Sequence, residues 1–197
     1  VKPQVVAMAH TANSYTLGKE GEAELVKRLE DKFQVPFITA FGSVVTALRQ
    51  IGVTNIAFGT PYSEQNTLRC KNLLEQYGFN IVSFGNLPGV KNIYDETPER
   101  AGQLMRQVDA SGADAIFVSG VGMPTIDALE KAEANLGKPI ISSIAATMWN
   151  SLRISELRLF IFICIINQCR KKSLLKPTEP CVNGINTAKR IVGRQEF

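Results

Sequence analysis

Residues 119–122, Ser-Gly-Val-Gly, put a hydroxyl and two glycines directly after a short apolar run at residues 115–118. Glycines in such a turn let backbone N–H groups approach a ligand closely, and Pro124 suits the first turn of a following helix. A strand end, a tight turn and a helix N-terminus together favour an anion, with an ordinary strand-to-helix turn as the plain alternative. Two other stretches share this form. His10-Thr11-Ala12-Asn13-Ser14 follows the apolar residues 5–9, and Thr60-Pro61-Tyr62 follows residues 55–59. His10 is the single histidine of the chain. Its ordinary pKa near neutrality suits proton transfer, and a structural hydrogen bond to a nearby carbonyl is the competing role.

The elements that must position these residues alternate along residues 1–153. Strands are expected at residues 5–9, 35–39, 55–59, 79–84, 115–118 and 139–142. Helices are expected at residues 22–33, 41–51, 64–77, 97–109, 125–136 and 144–152. Residues 10–14 read as loop, because they are a polar cluster without helical periodicity. Thr97 is the expected N-cap ahead of Pro98, and residues 85–97 form a connection longer than an ordinary helix-to-strand link. This alternation predicts parallel sheets covered on both faces. The three small polar loops then open on one edge, where a shared site is geometrically feasible.

Bulk composition narrows the function classes. Of 197 residues, 45% are hydrophobic, enough to bury a core. The net charge of +4 is concentrated at the end, where residues 154–197 hold 8 Lys+Arg against 3 Asp+Glu. The remaining residues carry 14 against 15, so no basic stripe marks a nucleic-acid partner. The longest apolar run, residues 159–166, is far short of the roughly 20 residues of a membrane helix. No signal-peptide pattern opens the chain, so the cytosol is the default compartment. Cys70, Cys164, Cys169 and Cys181 form no CxxC pair, and neither a zinc site nor a disulfide framework is expected. Cys70, between Arg69 and Lys71, is either a thiol of lowered pKa or an inert packing residue. Asp127 suits a first helical turn, Asn13 and Ser14 are ligand contacts or loop caps, and Trp149 is core. No glycine motif for nucleotide phosphates follows any strand.

Three segments carry a resemblance. TALRQIGVTNIAFGTPYSEQ (residues 46–65), GADAIFVSGVGMPTIDALEKAEANLGKPIISS (residues 112–143) and AATMWNSLR (residues 145–153) resemble the Asp/Glu racemase superfamily, in its branch of maleate cis-trans isomerases and arylmalonate decarboxylases. The resemblance implies two similar flavodoxin-like α/β lobes with parallel sheets, holding a small carboxylic acid between them. It also implies isomerase, racemase or decarboxylase chemistry without a cofactor or metal, and pairing of two copies. The family's two loops usually each carry a cysteine. Here His10 stands at the first cysteine position and Gly120 at the second. Thr11 and Tyr62 match carboxylate-holding positions, and Asn13, Ser119, Gly120 and Val121 complete the expected substrate contacts.

The expected division is a remnant of the first lobe at residues 1–38, a second lobe at 39–142, a closing helix at 143–153 and an atypical tail at 154–197. The resemblance implies a further strand and loop ahead of the His10 strand, so the first lobe is expected to be incomplete. The shift in charge and cysteine content after Arg153 leads to the expectation that the tail derives from a frame change or an unspliced intron. With both cysteines replaced, a non-catalytic carboxylate-binding protein is the alternative function.

Overall fold

A computed structural model of the chain describes residues 2–155. The expectations for the tail lie outside the described residues, apart from its first two positions. In chain order the elements are β1 (Val6–Met8), α1 (Thr11–Phe33), β2 (Phe37–Thr39), α2 (Ala40–Gln50), β3 (Asn55–Thr60), α3 (Glu64–Gln76), β4 (Asn80–Asn86), α4 (Pro98–Val108), β5 (Ala115–Val118), α5 (Ile126–Leu136), β6 (Ile140–Ser142) and α6 (Ser143–Ile154). A short 3-10 turn, Ile93–Asp95, interrupts the long connection before α4. Among the described residues, no helix is long and apolar enough to cross a membrane.

Two parallel sheets result, as expected for an Asp/Glu racemase-like α/β fold. One holds β1 and β2, and the other has the order β4-β3-β5-β6. In the larger sheet successive side chains point to opposite faces, and both faces are dry. Ile56 and Phe58 of β3 and Phe117 of β5 join Phe41 and Leu48 of α2 and Leu73 and Leu74 of α3. Ala57 of β3 and Ile116 and Val118 of β5 turn the other way, onto Leu104 and Met105 of α4 and Leu129 of α5. Each fully buried Phe, Leu or Ile contributes about 1.5–3 kcal/mol, so these two layers outweigh any single polar contact in the fold.

The parallel register aligns the strand ends that matter. Gly59 pairs with Val118, Thr60 with Asn86, and Val118 with Ser142. The Ser119 N–H donates to Gly59 O at 2.8 Å, so the loops leaving β3 and β5 start side by side.

The largest departure from the sequence-based expectation is α1. Residues 10–14 read as loop and the helix as starting at Glu22, yet α1 begins at Thr11 and runs to Phe33 with a break at Gly18 (φ 69°, ψ 179°). Thr11, Ser14 and Tyr15 form its buried stripe. Their spacing is helical, but all three carry hydroxyls and Thr11 and Ser14 are polar, so an apolar periodicity does not register them. Pro124 also falls just outside its expected place, because α5 starts at Ile126 with Thr125 as the N-cap residue. Elsewhere the expected elements are present with ends shifted by one or two residues. Thr97 caps α4 as expected, its hydroxyl accepting from Arg100 N–H at 3.3 Å.

Candidate functional site

The glycine turn after β5 is enclosed. Gly120 has φ +97°, a conformation that side chains rarely adopt. A Cβ built there would lie 2.7 Å from Ile93 Cδ1 and 2.9 Å from Pro61 Cγ. A Cβ at Gly122 would lie 2.8 Å from the Tyr94 ring. The Ile93–Asp95 turn therefore covers the glycines, and position 120 has no room for a side chain. Met123 N–H closes the turn onto Gly120 O at 3.1 Å. Among the described residues, the N–H groups of Gly120, Val121 and Gly122 find no acceptor. Thr125, a little further on, is buried, and its hydroxyl has no partner among the described residues.

Tyr62 is held at the neighbouring strand end. The Thr60 hydroxyl accepts from Tyr62 N–H at 3.2 Å and shares a 2.7 Å hydrogen bond with the Thr67 hydroxyl on α3. The Tyr62 phenol is partly buried, and burial, followed by the electrostatic effect of Cys70, pushes its pKa up to about 12. At neutral pH it is therefore a hydrogen-bond donor and not an anion.

The third contribution comes from α1. His10 is exposed and sits at the N-cap position without a side-chain capping bond. Thr11 is fully buried, and its hydroxyl donates to Ser143 Oγ at 3.0 Å, tying α1 to the start of α6. Asn13 is exposed, its amide 3.8 Å from Met8 Sδ. One turn beyond Thr11, the buried Tyr15 hydroxyl shares a 2.5 Å hydrogen bond with Ser119 Oγ. The Tyr15 ring meets the Tyr62 ring edge-on at a centroid distance of 6.2 Å. Tyr15 thus touches the residues that leave β3 and β5 while standing on the helix that follows β1.

Of the residues singled out in the sequence, Tyr62, Ser119, Gly120 and Val121 share one sheet edge. Thr11 and Ser119 are buried and engaged with protein hydroxyls, whereas His10 and Asn13 stand at the surface. Cys70 is fully buried on α3, and burial pushes its thiol up to about 12 despite the neighbouring Arg69 and Lys71. Of its two readings, inert packing is the one that fits. Trp149 is partly buried against the core, with the Arg153 guanidinium 5.4 Å from its ring centre. Asp127 is exposed in the first turn of α5.

Sequence reasoning missed Tyr15 and Glu22, and named Thr60 only as the start of the loop that carries Tyr62. The only signal available was the Thr11, Ser14, Tyr15 spacing across a stretch that reads as loop. Glu22 is buried and accepts from the hydroxyls of Ser14 at 2.6 Å, Thr39 at 2.6 Å and Tyr77 at 2.7 Å. It also lines a cavity of about 350 Å³ with Phe37, Thr39, Thr46, Tyr77 and Asn150, which includes none of the glycine-turn residues. Among the described residues, no group of three His, Cys, Asp or Glu side chains is arranged to hold a metal ion.

Comparison with known proteins agrees with this architecture. The sequence profile of the arylmalonate decarboxylase family matches residues 2–160. Maleate isomerase of Alcaligenes faecalis is 25% identical over 127 residues, which is 63% of this chain and 50% of that protein. Arylmalonate decarboxylase of Bordetella bronchiseptica is 27% identical over 157 residues, 77% of this chain and 65% of that protein. The chain therefore spans about half to two thirds of the length of these relatives. A liganded crystal structure of a doubly substituted arylmalonate decarboxylase shares the fold with a TM-score of 0.75 at 25% identity, over 79% of this chain and 68% of the other. A maleate-bound maleate isomerase from Pseudomonas putida S16 gives 0.73 at 23% identity, over 78% and 65%. With a profile match across most of its length and the same fold, the chain belongs to the arylmalonate decarboxylase family.

Proposed function

We propose that this protein acts, without a cofactor, beside the carboxylate of a small organic acid, as an isomerase, racemase or decarboxylase. The observation that carries this reading is the run of unpartnered N–H groups at Gly120, Val121 and Gly122 among the described residues, on the same sheet edge as the neutral Tyr62 phenol. Such donors stabilise an oxyanion in a water-poor site without having to reorganise, and oxyanion stabilisation is usually a large part of this kind of catalysis. In decarboxylation the bond from carbon to one carboxylate breaks and carbon dioxide leaves. The electron pair spreads onto the remaining carboxylate as an enediolate, which the amides and Tyr62 hold. His10, exposed and without a capping role, returns a proton to carbon. In racemisation the same cradle holds the carboxylate as an enediolate while the neighbouring carbon loses its proton and regains it from the other face.

Thr11 and Asn13 complete the reading as parts of the acid-holding end of α1, within lobes divided at residues 38 and 142. Pairing of two copies and a cytosolic location belong to the same proposal. The test is turnover of phenylmalonate and maleate by the 197-residue chain and by its His10→Ala and Tyr62→Phe variants. Loss of turnover with an intact thermal transition supports the proton-transfer role of His10 and the carboxylate-holding role of Tyr62, and unchanged turnover refutes them.

A second reading is favoured by the packing over Gly120, where no thiol fits. In it the protein binds small carboxylates without converting them. Saturable binding of maleate or phenylmalonate with no product would select it.

A further inference from the structure

Resting on the carboxylate-cradle reading, we propose that Tyr15 is a positioning residue for the glycine turn, its hydroxyl fixing Ser119 so that the amides of residues 120–122 converge on one bound carboxylate.

The turn has little of its own to hold it. Its single internal backbone hydrogen bond runs from Met123 N–H to Gly120 O, and the three amides between its ends are free among the described residues. Its direction therefore depends on how Ser119 and Met123 are anchored. The backbone of Ser119 is fixed by its N–H to Gly59 O at 2.8 Å. Its side chain makes one hydrogen bond among the described residues, the 2.5 Å contact with the Tyr15 hydroxyl.

Tyr15 is suited to this task because its own ring has nowhere to go. It is 6% exposed and meets Phe41 edge-on at 5.6 Å and Tyr62 edge-on at 6.2 Å. The Cys70 thiol lies against the phenol, and burial raises the pKa of Tyr15 well above its ordinary value. The hydroxyl thus stays protonated over the whole working range of pH. A buried phenol without a partner is costly, so the bond to Ser119 is kept rather than exchanged for water. Because Tyr15 sits on α1, the bond also couples the helix after β1 to the turn after β5, 104 positions away. Neither Tyr15 nor Ser119 needs to touch the acid, since both are buried and act through the backbone that follows.

The test uses the 197-residue chain and its Tyr15→Phe, Ser119→Ala and doubly substituted forms. Tyr15→Phe keeps the ring and removes only the hydroxyl. Should it fail to fold, Ser119→Ala breaks the same bond from its other end. Amide hydrogen exchange is followed without ligand, and binding of maleate and phenylmalonate is measured by calorimetry. Each single variant should speed exchange of the hydrogen-bonded Ser119 and Met123 amides that frame the turn about tenfold and weaken binding about tenfold, the worth of one hydrogen bond. The double variant should be no worse than either single one, because both remove the same bond. Unchanged exchange in the turn of a folded variant, or additive losses in the double, overturns the role of Tyr15. A parent chain that binds neither acid overturns the carboxylate reading and this proposal with it, and that failure appears before any variant is made.

Discussion

The Glu22 carboxylate accepts the Ser14 hydroxyl at 2.6 Å across the break in α1 at Gly18. The same carboxylate takes hydroxyl hydrogen bonds from Thr39 at the end of β2 and Tyr77 after α3. One buried side chain therefore joins both halves of α1 to the two elements beneath it. Thr39 in turn caps α2, accepting from Gly42 N–H at 2.8 Å. Glu22→Ala should cost about 2–4 kcal/mol in urea unfolding, because two buried hydroxyls and the partly buried Tyr77 hydroxyl lose their acceptor at once. Glu22→Gln, which keeps one oxygen, should cost about half as much. A loss below about 0.5 kcal/mol for the alanine variant would put Glu22 among ordinary surface positions.

Gly120 tolerates no side chain. Gly120→Cys meets both the positive φ and the Ile93 and Pro61 side chains. Its expected destabilisation is about 2–4 kcal/mol in chemical denaturation, combining backbone strain with overpacking. Adding Ile93→Ala should recover the overpacking share and leave the backbone share. If Gly120→Cys is as stable as the parent, the turn is looser than its contacts imply.

Alkaline pH should unfold the protein earlier than lysine titration would. The Tyr62 phenol is raised from 10.0 to about 12 and the Cys70 thiol from 9.0 to about 12, in both cases mainly by burial. Each group is protonated in the native state at a pH where the unfolded chain has already lost the proton. The stability they contribute is thus complete below about pH 9 and falls as pH rises through the window up to about 12. Melts at pH 8, 9, 10 and 11 test this. Cys70→Ala should flatten the decline that begins at pH 9, at the cost of a small cavity.

Thr60 should matter for binding through Tyr62. Thr60→Val removes the acceptor for Tyr62 N–H and the bond to Thr67 with little change in volume. Maleate and phenylmalonate affinities are expected to fall about fivefold in Thr60→Val and about tenfold in Tyr62→Phe, each at the level of one hydrogen bond. In the combined variant the Thr60 effect should largely vanish, because the phenol it orients is gone. Full additivity would show that Thr60 acts on some other part of the edge.

Much of this arrangement was legible in the sequence. The apolar runs that became β3 and β5, the cap at Thr97 and the glycine turn all carry local signatures, and each lies within one or two residues of its expected place. What was not legible depends on hydroxyls that pair across long separations. Thr11 and Ser14 read as loop, and Tyr15 falls between the expected elements, because helix periodicity is scored on apolar residues, and here Ser143, Glu22 and Ser119 satisfy the inward-facing polar atoms. No local pattern could have shown that a 3-10 turn from the long connection would lie on Gly120. That contact decides which side chains position 120 accepts, and it belongs to tertiary packing alone.

The Thr11 hydroxyl finds its partner on Ser143, 132 positions later. During synthesis at roughly 5–20 residues per second, α1 waits on the order of ten seconds or more before its partner leaves the ribosome. The β3–β4 pair, whose paired residues lie about 25 positions apart, can form well before that. The end of α1 that bears Thr11 and Tyr15 is therefore placed late, after the sheet it serves. It is also the part most exposed to wrong partners in a nascent chain. Slower translation after residue 60 would lengthen that exposure without changing a single native contact.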